Sequence, residues 1–107
     1  MKPSMATVAG YRRPLGYAQL TAAQLAASIG LTLPTLPADT QIGLAVIQAE
    51  GAPVRWRDDG VAPTASVGMR IYSSATVSGE LDYVGDMTAI RFILESGSPL
   101  VNVSFYE

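Results

Sequence analysis

The sequence predicts an all-β fold, an antiparallel β-sandwich or jelly-roll-like barrel with one short helix and an extended N-terminal arm. Three observations carry this. Apolar and polar residues alternate over short runs from residue 41 onward. Turn chemistry recurs between those runs roughly every ten residues, as in all-β domains. Helical spacing is confined to one short piece, which disfavours an α/β layering. At 107 residues the chain suits a single domain, divided at the sequence level into an arm over 1–20 and a β-rich body over 21–107.

The arm, Met1–Leu20, has no clear period and mixes Gly10, Tyr11, Arg12, Arg13, Pro14 and Gly16. It reads as an extended arm or a loosely attached first strand, since free termini stay mobile unless tied down. Tyr11, Arg12, Arg13, Leu15 and Tyr17 are its candidate subunit contacts. Thr21–Gly30 is the helix: Thr21 caps, Gln24 completes a capping box, and Gly30 is placed to close the helix in the left-handed conformation. Pro34 and Pro37 make Leu31–Asp39 an extended connector.

Strands are then predicted over Gln41–Gln48, apolar on both faces and so covered on both sides, and over Val54–Arg57. Asp58-Asp59-Gly60 turns the chain, with Gly supplying positive φ. Further strands follow over Val67–Ser73, Ser78–Val84, Thr88–Leu94 and Leu100–Tyr106. In the last, Val101, Val103 and Phe105 alternate with Asn102, Ser104 and Tyr106.

Composition narrows the functions. Hydrophobic residues are 49% and charged residues 15%, against about 25% charged in an ordinary domain. The chain is expected to be ordered, and so few charges favour a surface partly covered by other subunits over a lone monomer. With net charge −2, no general nucleic-acid-binding field is expected. Arg55-Trp56-Arg57 is a basic–aromatic triplet, but Asp58 and Asp59 cancel its charge, and Trp56 reads as core. No apolar run approaches the roughly 20 residues of a membrane span, and no secretion signal is expected at Met1-Lys2-Pro3.

Catalysis finds little inventory. Histidine and cysteine are absent, which removes the usual base and the thiolate nucleophile. Lys2 is the only lysine available to a Ser–Lys dyad. Asp58 and Asp59 are adjacent, and neighbours on a strand point to opposite faces, so they do not converge on a cleft as glycosidase carboxylates must. The spacing around Asp58, Asp59 and Asp86 lacks an EF-hand series. No catalytic residue, metal or cofactor is expected. Arg55, Arg57, Asp58 and Asp59 read as a brace for the turn or as interface ion pairs, the brace preferred.

One run is more specific. Ile47-Gln48-Ala49-Glu50-Gly51-Ala52-Pro53-Val54-Arg55-Trp56-Arg57-Asp58-Asp59-Gly60, then Pro63-Thr64-Ala65-Ser66-Val67-Gly68-Met69, leads to an ending of Gly85-Asp86-Met87-Thr88-Ala89-Ile90-Arg91-Phe92-Ile93 and Leu100-Val101-Asn102-Val103-Ser104-Phe105-Tyr106. This resembles small virion structural proteins of tailed phages and prophages, over about two-thirds of the chain. The resemblance implies a particle component located in the virion. Its partners would be the major capsid protein or other virion subunits, together with copies of itself. A capsid decoration or cement protein bridging neighbouring capsid subunits is the favoured expectation, because an extended arm suits bridging. The alternative is a tail, neck or fibre-associated component that binds a receptor or glycan, for which Tyr72, Tyr83 and Tyr106 are candidate exposed aromatics.

Overall fold

The computed structural model describes residues 11–107. The chain forms β1 (Pro14–Leu20), α1 (Ala22–Leu25), β2 (Ile29–Gly30), β3 (Leu44–Glu50), β4 (Val54–Arg57), β5 (Met69–Ile71), β6 (Gly79–Tyr83), β7 (Arg91–Leu94) and β8 (Leu100–Tyr106). These strands make two antiparallel four-stranded sheets, ordered β1-β8-β3-β6 and β2-β7-β4-β5. Neither sheet closes on itself.

The period of two decides which side chains meet. In the first sheet Ala45, Ile47, Ala49, Tyr83, Val101, Val103 and Phe105 turn inward and are buried. From the second sheet Val54, Ile71 and Phe92 join them in one core cluster. Leu25, Met87 and Ile90, from the connections, fill its margins. Each fully buried Val, Ile, Leu or Phe contributes about 1.5–3 kcal/mol, so the alternating run of β8, buried at every second residue, anchors the centre of its sheet.

Several expected boundaries move, each for a local reason. The stretch read as an arm is, over Pro14–Leu20, a strand paired with β8 from Pro14↔Tyr106 to Leu20↔Val101. The division at residue 20 therefore falls at the end of a strand that belongs to the body. Pro14 opens this edge strand, where a missing N–H is tolerated. The arm's residues 1–10 lie outside the described residues. Its buried side is Leu20, with Ala18 packed beside it.

The helix has the expected capping box, with Gln24 N–H donating to Thr21 Oγ1 and Thr21 N–H donating to Gln24 Oε1. It ends at Leu25, not at Gly30. Arg91 donates to Ser28 Oγ at 2.7 Å and to the Ser28 carbonyl at 2.6 Å, and Ile29–Gly30 pairs with β7. The long-range partners outbid a piece too short to be stable alone.

β3 starts at Leu44, and its faces differ: Ala45, Ile47 and Ala49 are buried, while Leu44, Val46, Gln48 and Glu50 are half-buried. The expectation of cover on both sides is corrected by that pattern. β7 starts at Arg91 because Asp86 builds a turn before it. The Asp86 side chain accepts from Thr88 N–H at 2.8 Å, and its carbonyl accepts from Ala89 N–H at 3.1 Å. β5 shrinks to three residues on the edge of its sheet, which leaves Met69 exposed although it shares a side with Ile71.

Candidate functional site

Outward positions on the second sheet carry its charge. Arg55 lies opposite Arg70 on β5, and Arg57 lies opposite Arg91 on β7. Like charges placed directly across strands repel. Glu95, just past β7, answers the first pair: it accepts from Arg55 Nε at 3.0 Å and from Arg70 through Nε at 2.9 Å and Nη2 at 2.8 Å. The Arg70 guanidinium, with Arg55 behind it, holds the Glu95 carboxyl below the usual range. Arg55 also donates from Nη1 to the Gly68 carbonyl at 3.0 Å. Gly68 sits at φ 143, where an added Cβ would come within 3.0 Å of the Trp56 carbonyl. That glycine lets the β4–β5 loop close over the arginine.

The four residues read as a turn brace divide their partners. Arg57 and Asp59 form the expected local pair, with Nε–Oδ1 at 3.0 Å and Nη2–Oδ2 at 2.5 Å. Their hydrogen bonds lower Asp59 and raise Arg57 from their ordinary pKa values. Arg55 turns instead to Glu95. Asp58 Oδ2 accepts from the hydroxyl of Tyr83, on β6 of the other sheet, at 2.8 Å. That hydroxyl also lies 3.0 Å from the Asp86 carbonyl. Burial, then the Asp58 carboxylate, push it well above the usual phenol range. Asp58 therefore ties one sheet to the other instead of bracing its own turn.

Beside this cluster Trp56, Val67, Gly68 and Met69 line an open depression of about 390 Å³, with Arg57, Asp58 and Asp59 at its rim. Trp56 is half-buried, packed partly on the core and edge-on to Tyr83, ring centroids 6.0 Å apart. Of its lining, Val67 and Met69 are exposed, Met69 at 61%, while the exposed Tyr72, just past β5, lies under Arg70 on the other side of the strand. An apolar wall with a few charges at its rim suits an apolar side chain or small apolar group.

The outward side of the first sheet is different. Asn102 accepts from Tyr17 Oη at 2.7 Å and Gln19 Nε2 at 2.9 Å, and donates to Gln48 Oε1 at 3.1 Å and Glu50 Oε2 at 2.7 Å. Tyr17, 63% exposed, stands over this row, and Glu80 and Asp82 continue the face on β6, opposite Gln48 and Val46.

The candidate contacts of the arm are mostly used within the chain. Arg12 donates to the Glu107 carbonyl at 2.9 Å. Arg13 Nε lies 3.2 Å from Glu107 Oε1, an ion pair without hydrogen-bond alignment, and Nη2 donates to Thr40 at 3.2 Å. Leu15 packs against the core, while Tyr11 and Tyr17 stay exposed. Among the aromatics named for a receptor, Tyr72 is exposed, Tyr106 is half-buried and Tyr83, at 5% exposure, is core. Sequence reasoning missed Arg70 and Glu95. The signal was present in the alternation of β5 and β7, but which strand faces which is not local information.

Among the described residues no three Asp or Glu side chains gather as a metal would require, and no helix is long and apolar enough to cross a membrane. No family model, curated protein or solved structure matches the chain.

Proposed function

We propose that this chain is a structural subunit of a tailed-phage virion, a β-sandwich that decorates the capsid and bridges neighbouring capsid subunits. The observation that carries the reading is the apolar ledge at β5, where Val67 and Met69 are exposed in the depression walled by Trp56. A free-standing small domain has little reason to gather such side chains at an open strand edge. A neighbouring subunit that added a strand there would gain backbone hydrogen bonds and fill the depression. The resemblance of residues 41–107 to small virion proteins points the same way. Each contact is modest, and repetition over a shell multiplies the effect.

The second reading, a tail, neck or fibre component that binds a receptor or glycan, draws on the first sheet. There Tyr17 offers an aromatic ring beside amides and carboxylates, over a shallow hollow of about 210 Å³.

The test is to add purified protein to particles that lack it and image where density appears. Regular density on the capsid lattice is expected. Density at the tail or neck alone favours the second reading, and no density anywhere removes both.

A further inference from the structure

The two outward faces carry opposite charge. Arg55, Arg57, Arg70 and Arg91, four of the seven basic residues, share the outward side of the second sheet. Glu95 and Asp59 offset two of them, and a net positive face remains. Glu50, Glu80 and Asp82 share the outward side of the first sheet, and among the described residues none of the three is in an ion pair. Any polar side chain suits an outward strand position. Filling such positions with arginine on three adjacent strands adds cross-strand repulsion, and the contacts to Glu95, Asp59 and Ser28 that hold these side chains leave more positive than negative charge on the face. A chain with net charge −2 has thus separated its charges onto opposite sides of one body.

We propose that these faces recognise each other between copies: a second copy lays the acidic outward face of its first sheet on the arginine face of the other's second sheet. This rests on the reading of the chain as an assembling subunit and names its partner and geometry. β5, which bears Arg70, packs against β6, which bears Glu80 and Asp82, at one side of the molecule. A shift along the sheet normal therefore brings the arginine face of one copy onto the face of the next that bears Glu80, Asp82 and Glu50. Tyr17 and Tyr106, on the acidic face, offer rings on which guanidinium groups stack, as Arg70 already does on Tyr72 at 5.3 Å. The contact is heterologous, so each copy keeps one face free and a stack can grow. A four-stranded face is only about 14 Å wide at about 4.8 Å per strand, so the association is weak in free solution and gains from repetition on a surface.

Sedimentation velocity tests it. The wild-type protein is expected to associate as concentration rises, and raising the salt from about 0.05 to about 0.5 M is expected to weaken this roughly tenfold, because these charges are exposed. Glu80→Lys/Asp82→Lys, which reverses the acidic face, and Arg57→Gln/Arg91→Gln, which discharges the basic one, are each expected to sediment as monomers. Mixed in equal amounts they are expected to form a pair that stops at two, since each brings one intact face. Thermal melts followed by circular dichroism show whether each variant is folded, and Glu80→Gln/Asp82→Asn replaces a reversal that fails to fold. A wild-type protein that stays monomeric, variants that associate like wild type, or a mixture that stays monomeric overturns the proposal. A monomeric folded variant that still decorates particles as wild type does overturns the stacking and leaves the virion reading standing. Stacking in solution by a protein that marks no part of a particle does the reverse.

Discussion

At the scale of single residues, contacts and not composition decide the sensitive positions. Gly79 opens β6, and a Cβ there would collide with the Tyr72 carbonyl and lie 2.9 Å from an Ile71 methyl. Neither the backbone nor a buried core side chain can give way, so Gly79→Ala is expected to destabilise by about 1–3 kcal/mol, read as a lower urea midpoint. Tyr83→Phe removes the hydroxyl that serves Asp58 and the Asp86 carbonyl. A loss of about 1–2 kcal/mol is expected from that hydrogen bond, with the core otherwise intact. Glu95 sets a pH dependence. Its folded pKa is depressed, chiefly by Arg70, so its contribution is present above its unfolded value and is lost as pH falls through the folded one. Between about pH 5 and pH 3, a window set by the ordinary Glu pKa of about 4.3, wild type is expected to lose more stability than Glu95→Gln, measured by urea titration at each pH. A larger loss in the variant contradicts the assignment. Gly60 was legible as a turn residue and sits at φ 85. Asp58 was not legible, because its partner Tyr83 is 25 residues away and nothing local marks it.

Single elements show how far local pattern reaches. β4 and β8 occupy the residues their alternation predicts, since each lies between neighbours that bury one side of it. The capping box of α1 was equally legible at Thr21 and Gln24. The helix's length was not, because Arg91 and the β7 edge claim Ser28–Gly30. β1 is legible only as an arm or a loosely attached first strand. Arginines, proline and glycine disguise it, yet its outward Tyr17 and Gln19 and its inward Ala18 and Leu20 match β8 residue for residue. Deleting residues 1–20 therefore removes more than an arm: it bares one side of β8. That deletion is expected to aggregate or to lose cooperative unfolding, and a melting transition like that of the full chain would contradict the pairing.

Across the whole molecule, the two-sheet division depends on contacts between distant segments. The first sheet joins β1 to β8 and β8 to β3, pairings that a reading along the chain cannot rank. The strand content, the absence of long helix and the inward residues of β8 were readable; the layer to which each strand belongs was not. The same non-local step created the apolar ledge, because β5 became an edge strand and left Met69 uncovered. Val67→Asp/Met69→Asp is accordingly expected to change stability by less than about 0.5 kcal/mol, as exposed substitutions do, while abolishing decoration of particles. Loss of folding in that variant would mean that the ledge belongs to the core after all.

Trp56 is the only tryptophan in the chain, and its position makes it an optical probe of two separate events. Its indole forms a wall of the depression on one side and meets the Tyr83 ring of the opposite sheet on the other. A partner side chain that displaces water from the depression shifts its emission to the blue. Separation of the sheets on unfolding wets the ring and shifts the emission to the red. Docking and unfolding thus move one native fluorophore in opposite directions, and the protein needs no label to tell them apart.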